Sequence, residues 1–339
     1  MKERVDYFDT IRALACLLVL LTHAAMPAAD ADMAGKYYAF FSWFSSVNNA
    51  LFFSLSGALL FPILLDTKTF YKRRFPKLVF PLLFWSVFAL ALYYVLGRET
   101  LAVSLRQLVM IPFTPAICIY WFMYVLFGLY LFAPIISKWL EGATKKELEL
   151  VLVLWAFTLC APVIDFVVPD MYNIEGSYYY MLNSFGGFVG YMLLGYYCSK
   201  YPVEFKSKTM LLLGCVAMEV GVFGILAICQ KIYGDYYILT DNLSIFTALR
   251  VYVYYTLFYN INDCLSRVQP YINQFAKYSY GIYLVHIFIM RNFVWLLFTN
   301  HRMHPAVEVP LIVVASALLS FISVKLISKI PYSKYIIGV

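Results

Sequence analysis

Apolar runs long enough to cross a bilayer recur from one end of this chain to the other, and they remove most soluble folds from consideration. A transmembrane helix needs about 20 mostly apolar residues. Windows of that kind fall at approximately 10–28, 40–65, 78–96, 119–138, 148–168, 178–198, 209–231, 242–262, 278–298 and 305–327. Of 339 residues, 63% are hydrophobic and 13% charged, about half the charged share of a soluble domain. The expected fold is therefore all-α, a polytopic integral membrane protein of about ten transmembrane helices. Links between the runs are short and no internal repeat is visible, so one transmembrane domain is expected over residues 1–339. The link at 97–118 contains Leu101 to Pro112 with helical periodicity, which suits a helix lying in the membrane interface.

Lysine and arginine orient the chain. With the N-terminus inside, eighteen of the 26 fall in inside segments and five in outside segments, while Arg12, Arg250 and Arg291 lie within the runs. That asymmetry predicts both termini in the cytoplasm. It also accounts for most of the formal charge of +7, so no nucleic-acid partner is needed. The first run carries Arg12 and lacks a small-x-small cleavage pattern, so a retained first helix is expected. Seven dispersed cysteines without a C-x-x-C pattern suggest free buried thiols, with neither a metal site nor a disulfide framework.

Charged and titratable groups inside apolar runs ask for a reason. Arg12 and His23 share the first run. Eleven helical residues turn about 1100°, so both project from one face, about 16 Å apart along the axis. His23 is the strongest single candidate, because an apolar setting favours the uncharged imidazole that a general base needs. Its bland alternative is a hydrogen bond to a neighbouring helix. Arg12 can instead snorkel and pair with Asp9, three residues earlier. Arg73, Arg74 and Lys77 can anchor the topology; equally, Arg74 and Lys77, one turn apart, suit phosphate recognition.

On this topology Asn48, Asn49, Tyr120, Trp121, Arg250 and Arg291 fall toward the outer side. Arg250 and Arg291 are pathway candidates or structural partners of acids such as Glu219 and Asp165. His286 is as readily a packing residue as a ligand. Tyr172, Tyr178, Tyr179 and Tyr180 suit an interfacial belt.

These residues, taken in order, resemble a known family. Asp9-Thr-Ile-Arg-Ala-Leu-Ala followed by His23 resembles the Arg-x10-His signature of the bacterial acyltransferase-3 family of membrane acyltransferases. Phe53-Ser-Leu-Ser-Gly-Ala-Leu-Leu resembles its Ser-Gly segment. Tyr71-Lys-Arg-Arg-Phe-Pro-Lys-Leu-Val-Phe-Pro resembles its basic mouth, and Tyr120-Trp-Phe its Leu-Trp-Phe segment. Gly186-Gly-Phe-Val-Gly-Tyr-Met-Leu-Leu-Gly-Tyr-Tyr and Tyr278-Ser-Tyr-Gly-Ile-Tyr-Leu-Val-His resemble later signatures. The nearest look is to the branch containing the enterobacterial common antigen O-acetyltransferase. There are two departures. Ile119-Tyr-Trp-Phe stands where many relatives have His-Leu-Trp-Phe, so no role for that histidine carries over, and Ala13 stands where Gly often follows the arginine.

The resemblance implies transfer of an acyl group, often acetyl from acetyl-CoA, to a hydroxyl of a cell-surface or lipid-linked glycan in the inner membrane. Acyl-CoA would be a substrate, with no cofactor bound permanently. His23 would deprotonate the acceptor hydroxyl and Arg12 would position the donor or stabilise developing charge. Arg73, Arg74 and Lys77 would hold CoA phosphates, and Asp9, Asn48, Asn49, Tyr120, Trp121, Arg250, His286 and Arg291 would line the cavity. A polar tunnel with opposite entrances for donor and acceptor is expected. Some relatives pass the acyl group to an appended esterase-like domain; direct transfer is the expectation here. Competing classes are a glycan transporter using Glu219, Arg250 and Arg291, and a non-catalytic subunit of a polysaccharide synthase.

Overall fold

The computed structural model describes residues 4–27, 34–160, 163–164, 187–233, 241–298 and 303–338. Among the described residues the chain is helical, with no strand. The principal helices are α1 Asp6–Ala24, α2 Ala34–Ser45, α3 Asn48–Leu60, α4 Thr67–Val95, α5 Leu101–Met110, α6 Trp121–Gly142, α7 Lys145–Thr158, α8 Val189–Lys200, α9 Lys208–Tyr233, α10 Ile245–Ile261, α11 Gln269–Ile289, α12 Pro305–Ile327 and the single turn α13 Lys334–Ile337. A π-helical turn, Met290–Val294, continues α11 into Trp295–Phe298.

Six described helices are long and apolar enough to span a membrane: Asp6–Ala24, Thr67–Val95, Cys118–Gly142, Lys208–Ile228, Gln269–Phe298 and Pro305–Ile327. The expected run at 40–65 is broken into α2 and α3 rather than forming one span. The run at 242–262 becomes a helix of 17 residues. The runs at 148–168 and 178–198 lie partly outside the described residues, as do Asp165, Tyr172 and Tyr178 to Tyr180. The expected helix after residue 100 is α5, with the Thr100 hydroxyl accepting from Val103 N at 3.4 Å. Of the cysteines, Cys198 and Cys215 are buried, but Cys118 and Cys264 are exposed thiols, contrary to the expectation of burial throughout.

Local chemistry sets the helix ends. Asp6 and Asp9 occupy the first turn of α1 and His23 its last, the polarity that complements a helix dipole. Asp66 caps α4, and bonds from the Thr69 hydroxyl and amide hold its carboxyl below the usual carboxylate range. Thr144 and Glu147 form a capping box at α7. At 29 residues, α4 is about 43 Å long, well beyond a hydrocarbon core of about 30 Å.

The chain packs as two compact units, each assembled from three stretches. The first comprises Met1–Phe61, Gly142–Ala276 and Leu297–Val314. Its tightest crossing joins α3 to α8. A Cβ on Gly57 would lie 1.9 Å from the Met192 carbonyl oxygen, and one on Gly195 would lie 1.9 Å from that of Ser54. Only glycine permits such an approach, as in small-residue helix pairs of membrane proteins. The second unit comprises Pro62–Glu141, Lys277–Leu296 and Ala315–Val339. In it Trp85 Nε1 donates to Ile336 O at 2.8 Å, Tyr71 OH to Leu131 O at 2.7 Å, and Ile63 N to Ser137 Oγ at 2.8 Å.

Candidate active site

Arg12 and His23 lie on one uninterrupted helix, α1, so the spacing computed from sequence applies directly. Asp9 is buried and fixes the arginine end. Its Oδ1 accepts from Arg12 Nη1 at 3.1 Å and its Oδ2 from Arg4 Nε at 2.6 Å. Arg4 Nη2 also donates to Asn273 O at 3.0 Å. Asn273 Nδ2 reaches Asp6 Oδ1 at 3.0 Å, and Gln269 Nε2 reaches Asp6 O at 3.1 Å. The start of α1 is thereby tied to the start of α11. Arg12 keeps 29% of its side chain accessible, so the Asp9 contact orients a guanidinium that is not fully enclosed.

His23 is half-buried, with Nδ1 3.5 Å from Met26 Sδ. A thioether only accepts, so in this contact Nδ1 is the donor. The hydroxyl of Thr22, its neighbour, lies 3.0 Å from Leu18 O and 2.8 Å from Ser45 Oγ, and accepts from Asn48 Nδ2 at 2.8 Å. Asn49 Nδ2 lies 3.4 Å from Asn242 Oδ1. Asn48 and Asn49 are thus gathered by hydrogen bonding at the α2–α3 break, with Asn48 joined through Thr22 to the residue before His23. Thr22, Ser45 and Asn242 were not singled out from the sequence. Thr22, adjacent to His23, was the only one with a local signal.

Arg250 is enclosed in protein. It is 1% exposed and its Nε lies 2.9 Å from Glu219 Oε1, the pairing considered from sequence. Nη1 donates to Trp43 O at 3.0 Å and Ser46 Oγ at 2.9 Å, and Nη2 to Phe44 O at 3.0 Å. Its Cζ sits 4.8 Å from the centre of the Trp43 ring. Helix C-termini leave carbonyls without intrahelical donors, and backbone of that kind is tolerated at membrane depth only when buried in protein. Arg250 supplies such donors at the break in the 40–65 run, to Phe44 O and, beside Ser46 N and Oγ, to Trp43 O.

In the second unit, Tyr120 is fully buried and its hydroxyl donates to Leu284 O at 3.0 Å. His286 is also fully buried, with Nδ1 2.6 Å from Tyr283 O; that oxygen can only accept, so Nδ1 carries the proton. Both side chains are enclosed rather than lining an open cavity. Trp121 opens α6. Arg291 is exposed on the π-helical turn, its Nη1 3.4 Å from Tyr93 OH. Arg73, Arg74 and Lys77 are exposed on the first turns of α4. They fall within about 100° of the helix circumference, and among the described residues none joins an ion pair.

An apolar groove of about 360 Å³ runs beside α1, lined by Leu14, Leu17, Leu18 and Leu21 with Phe40, Phe41, Phe44, Pro310, Val313 and Val314. Its leucines face about 180° away from Arg12 and His23, so it is separate from the polar face. Among the described residues no group of three His, Cys, Asp or Glu side chains could hold a metal.

The all-helical fold, the apolar spans and an arginine–histidine pair on the first helix define a membrane protein with a polar, titratable face. The acyltransferase-3 family model, an acyltransferase domain, matches residues 5–325, and the chain belongs to that family. The match runs through stretches of both units. No curated protein and no solved structure gave a significant match.

Proposed function

We propose that this membrane acyltransferase is an O-acyltransferase, moving acetyl from cytoplasmic acetyl-CoA to a hydroxyl of a surface or lipid-linked glycan, in the cytoplasmic membrane. The observation that carries the reading is the pairing on α1 of an Asp9-anchored Arg12 with His23. In this reading His23 Nε2 takes the acceptor's hydroxyl proton as its oxygen attacks the thioester carbonyl. The CoA thiolate leaves and is protonated. Arg12, about 16 Å away along the axis, is too distant to touch the reacting atoms, so its role is to hold the donor. The exposed cations Arg73, Arg74 and Lys77 suit the CoA phosphates.

The test is acceptor-dependent release of CoA thiol from acetyl-CoA by purified protein in nanodiscs, with a lipid-linked glycan as acceptor. Release that requires the acceptor and vanishes in His23→Ala supports the reading. Movement of glycan across the disc or vesicle without CoA release would support the exporter instead.

A further inference from the structure

Two arginines from distant parts of the second unit meet on one tyrosine ring. Arg98 Cζ lies 5.9 Å and Arg291 Cζ 5.7 Å from the centre of the Tyr93 ring. The backbone builds this arrangement. Helix α4 ends in a Schellman turn: Gly97 is left-handed at φ 65, Arg98 N bonds Tyr93 O at 2.9 Å and Gly97 N bonds Tyr94 O at 3.0 Å. That turn folds the residue after the glycine back over the last helical turn, which sets Arg98 above Tyr93. The π-helical turn Met290–Val294 brings Arg291 and Asn292 to the same place; such turns are rare and recur at functional sites.

The cluster is held but not neutralised. Asn292, oriented by its Nδ2 bond to Phe288 O at 2.8 Å, accepts from Arg98 Nη2 at 3.1 Å. Arg291 Nη1 donates to Tyr93 OH at 3.4 Å. Each guanidinium has five N–H donors, and among the described residues each uses one in a hydrogen bond. Among the described residues neither arginine pairs with a carboxylate. Glu99, the next residue, meets Gln107 Nε2 at 3.4 Å instead. Bringing like charges together is unfavourable unless an anion accompanies them. A phosphoryl group carries more negative charge than a carboxylate and offers three acceptor oxygens, which suits two guanidinium groups.

We propose that Arg98 and Arg291, aligned on Tyr93, form a binding site for a phosphoryl group. Tyr93 lies about 28 Å along α4 from Arg74, so the site serves the membrane face opposite the basic mouth. The phosphoryl group comes from either a phospholipid headgroup or a phosphorylated water-soluble molecule. The inference does not depend on the acyl-transfer reading.

The test uses the full chain in uncharged detergent, with Arg74→Gln and Lys77→Gln throughout to silence the other basic face. Inorganic diphosphate is titrated calorimetrically, and phosphatidylglycerol retention is followed by native mass spectrometry. Adding Arg98→Gln and Arg291→Gln together should weaken one of these by about tenfold or more, while Arg106→Gln, an exposed arginine on α5, should leave both nearly unchanged. Loss of diphosphate affinity identifies a water-soluble source; loss of lipid retention alone identifies a headgroup. Gly97→Ala keeps both charges but strains the turn that seats Arg98, and should weaken the same ligand. Unchanged binding of both probes in the double arginine variant, or an equal effect of Arg106→Gln, would overturn the proposal.

Discussion

Arg250 and Glu219 form an ion pair between α10 and α9 whose guanidinium also closes the carbonyl end of α2, with Nε 2.9 Å from the carboxylate and Nη2 3.0 Å from Phe44 O. Removing one partner of a buried pair typically costs about 3–5 kcal/mol. Arg250→Leu additionally removes the donor to Phe44 O, while Trp43 O keeps its bonds from Ser46 N and Oγ, so its loss of thermal stability in detergent should exceed that of Glu219→Leu. Equal losses would mean that the cap at α2 contributes nothing.

His23→Ala should leave melting temperature and membrane insertion unchanged while lowering acyl transfer by about 100-fold or more. Asn should do no better than Ala, since an amide is no base. Near-normal turnover in a well-folded variant would remove His23 from the mechanism.

Neutralising Arg74 and Lys77 together should weaken CoA binding by about 2–3 kcal/mol if each makes one charge-assisted contact. Dephospho-CoA should bind the parent protein more weakly and respond less to the double change. Unchanged CoA affinity would reduce both residues to topology anchors.

Gly57→Ala and Gly195→Ala each drive a methyl into backbone of the partner helix. Overpacking typically costs about 1–3 kcal/mol, and rigid backbone gives little relief. Gly128→Ala on α6 meets no atom within 4 Å and should be neutral or mildly stabilising, because Ala is the better helix former. Comparable melting temperatures for all three would contradict the close α3–α8 crossing.

Much of the architecture was legible because it is local. Apolar length marks a helix wherever it falls, and α1 is one such run; the Arg12–His23 spacing survives intact because eleven residues of continuous helix admit one geometry. The Asp9–Arg12 pair was legible for the same reason. The Ser-Gly segment around Gly57 and the glycine-rich segment around Gly195 were recognisable as signatures. Their use, a crossing of two backbones, was not, since neither segment specifies its partner.

By itself, then, the sequence determined the helical membrane class, the family, and the face that Arg12 and His23 share. Tertiary structure decided where the 40–65 run breaks, that Arg250 is enclosed and caps α2, and that Tyr93, Arg98 and Arg291 converge. The reason is physical. Periodicity reports which way a side chain points around its own helix, whereas Arg250 meets Phe44 across 206 positions and Arg98 meets Asn292 across 194. Contacts at that separation are set by how helices pack and by which buried donors and acceptors must be satisfied.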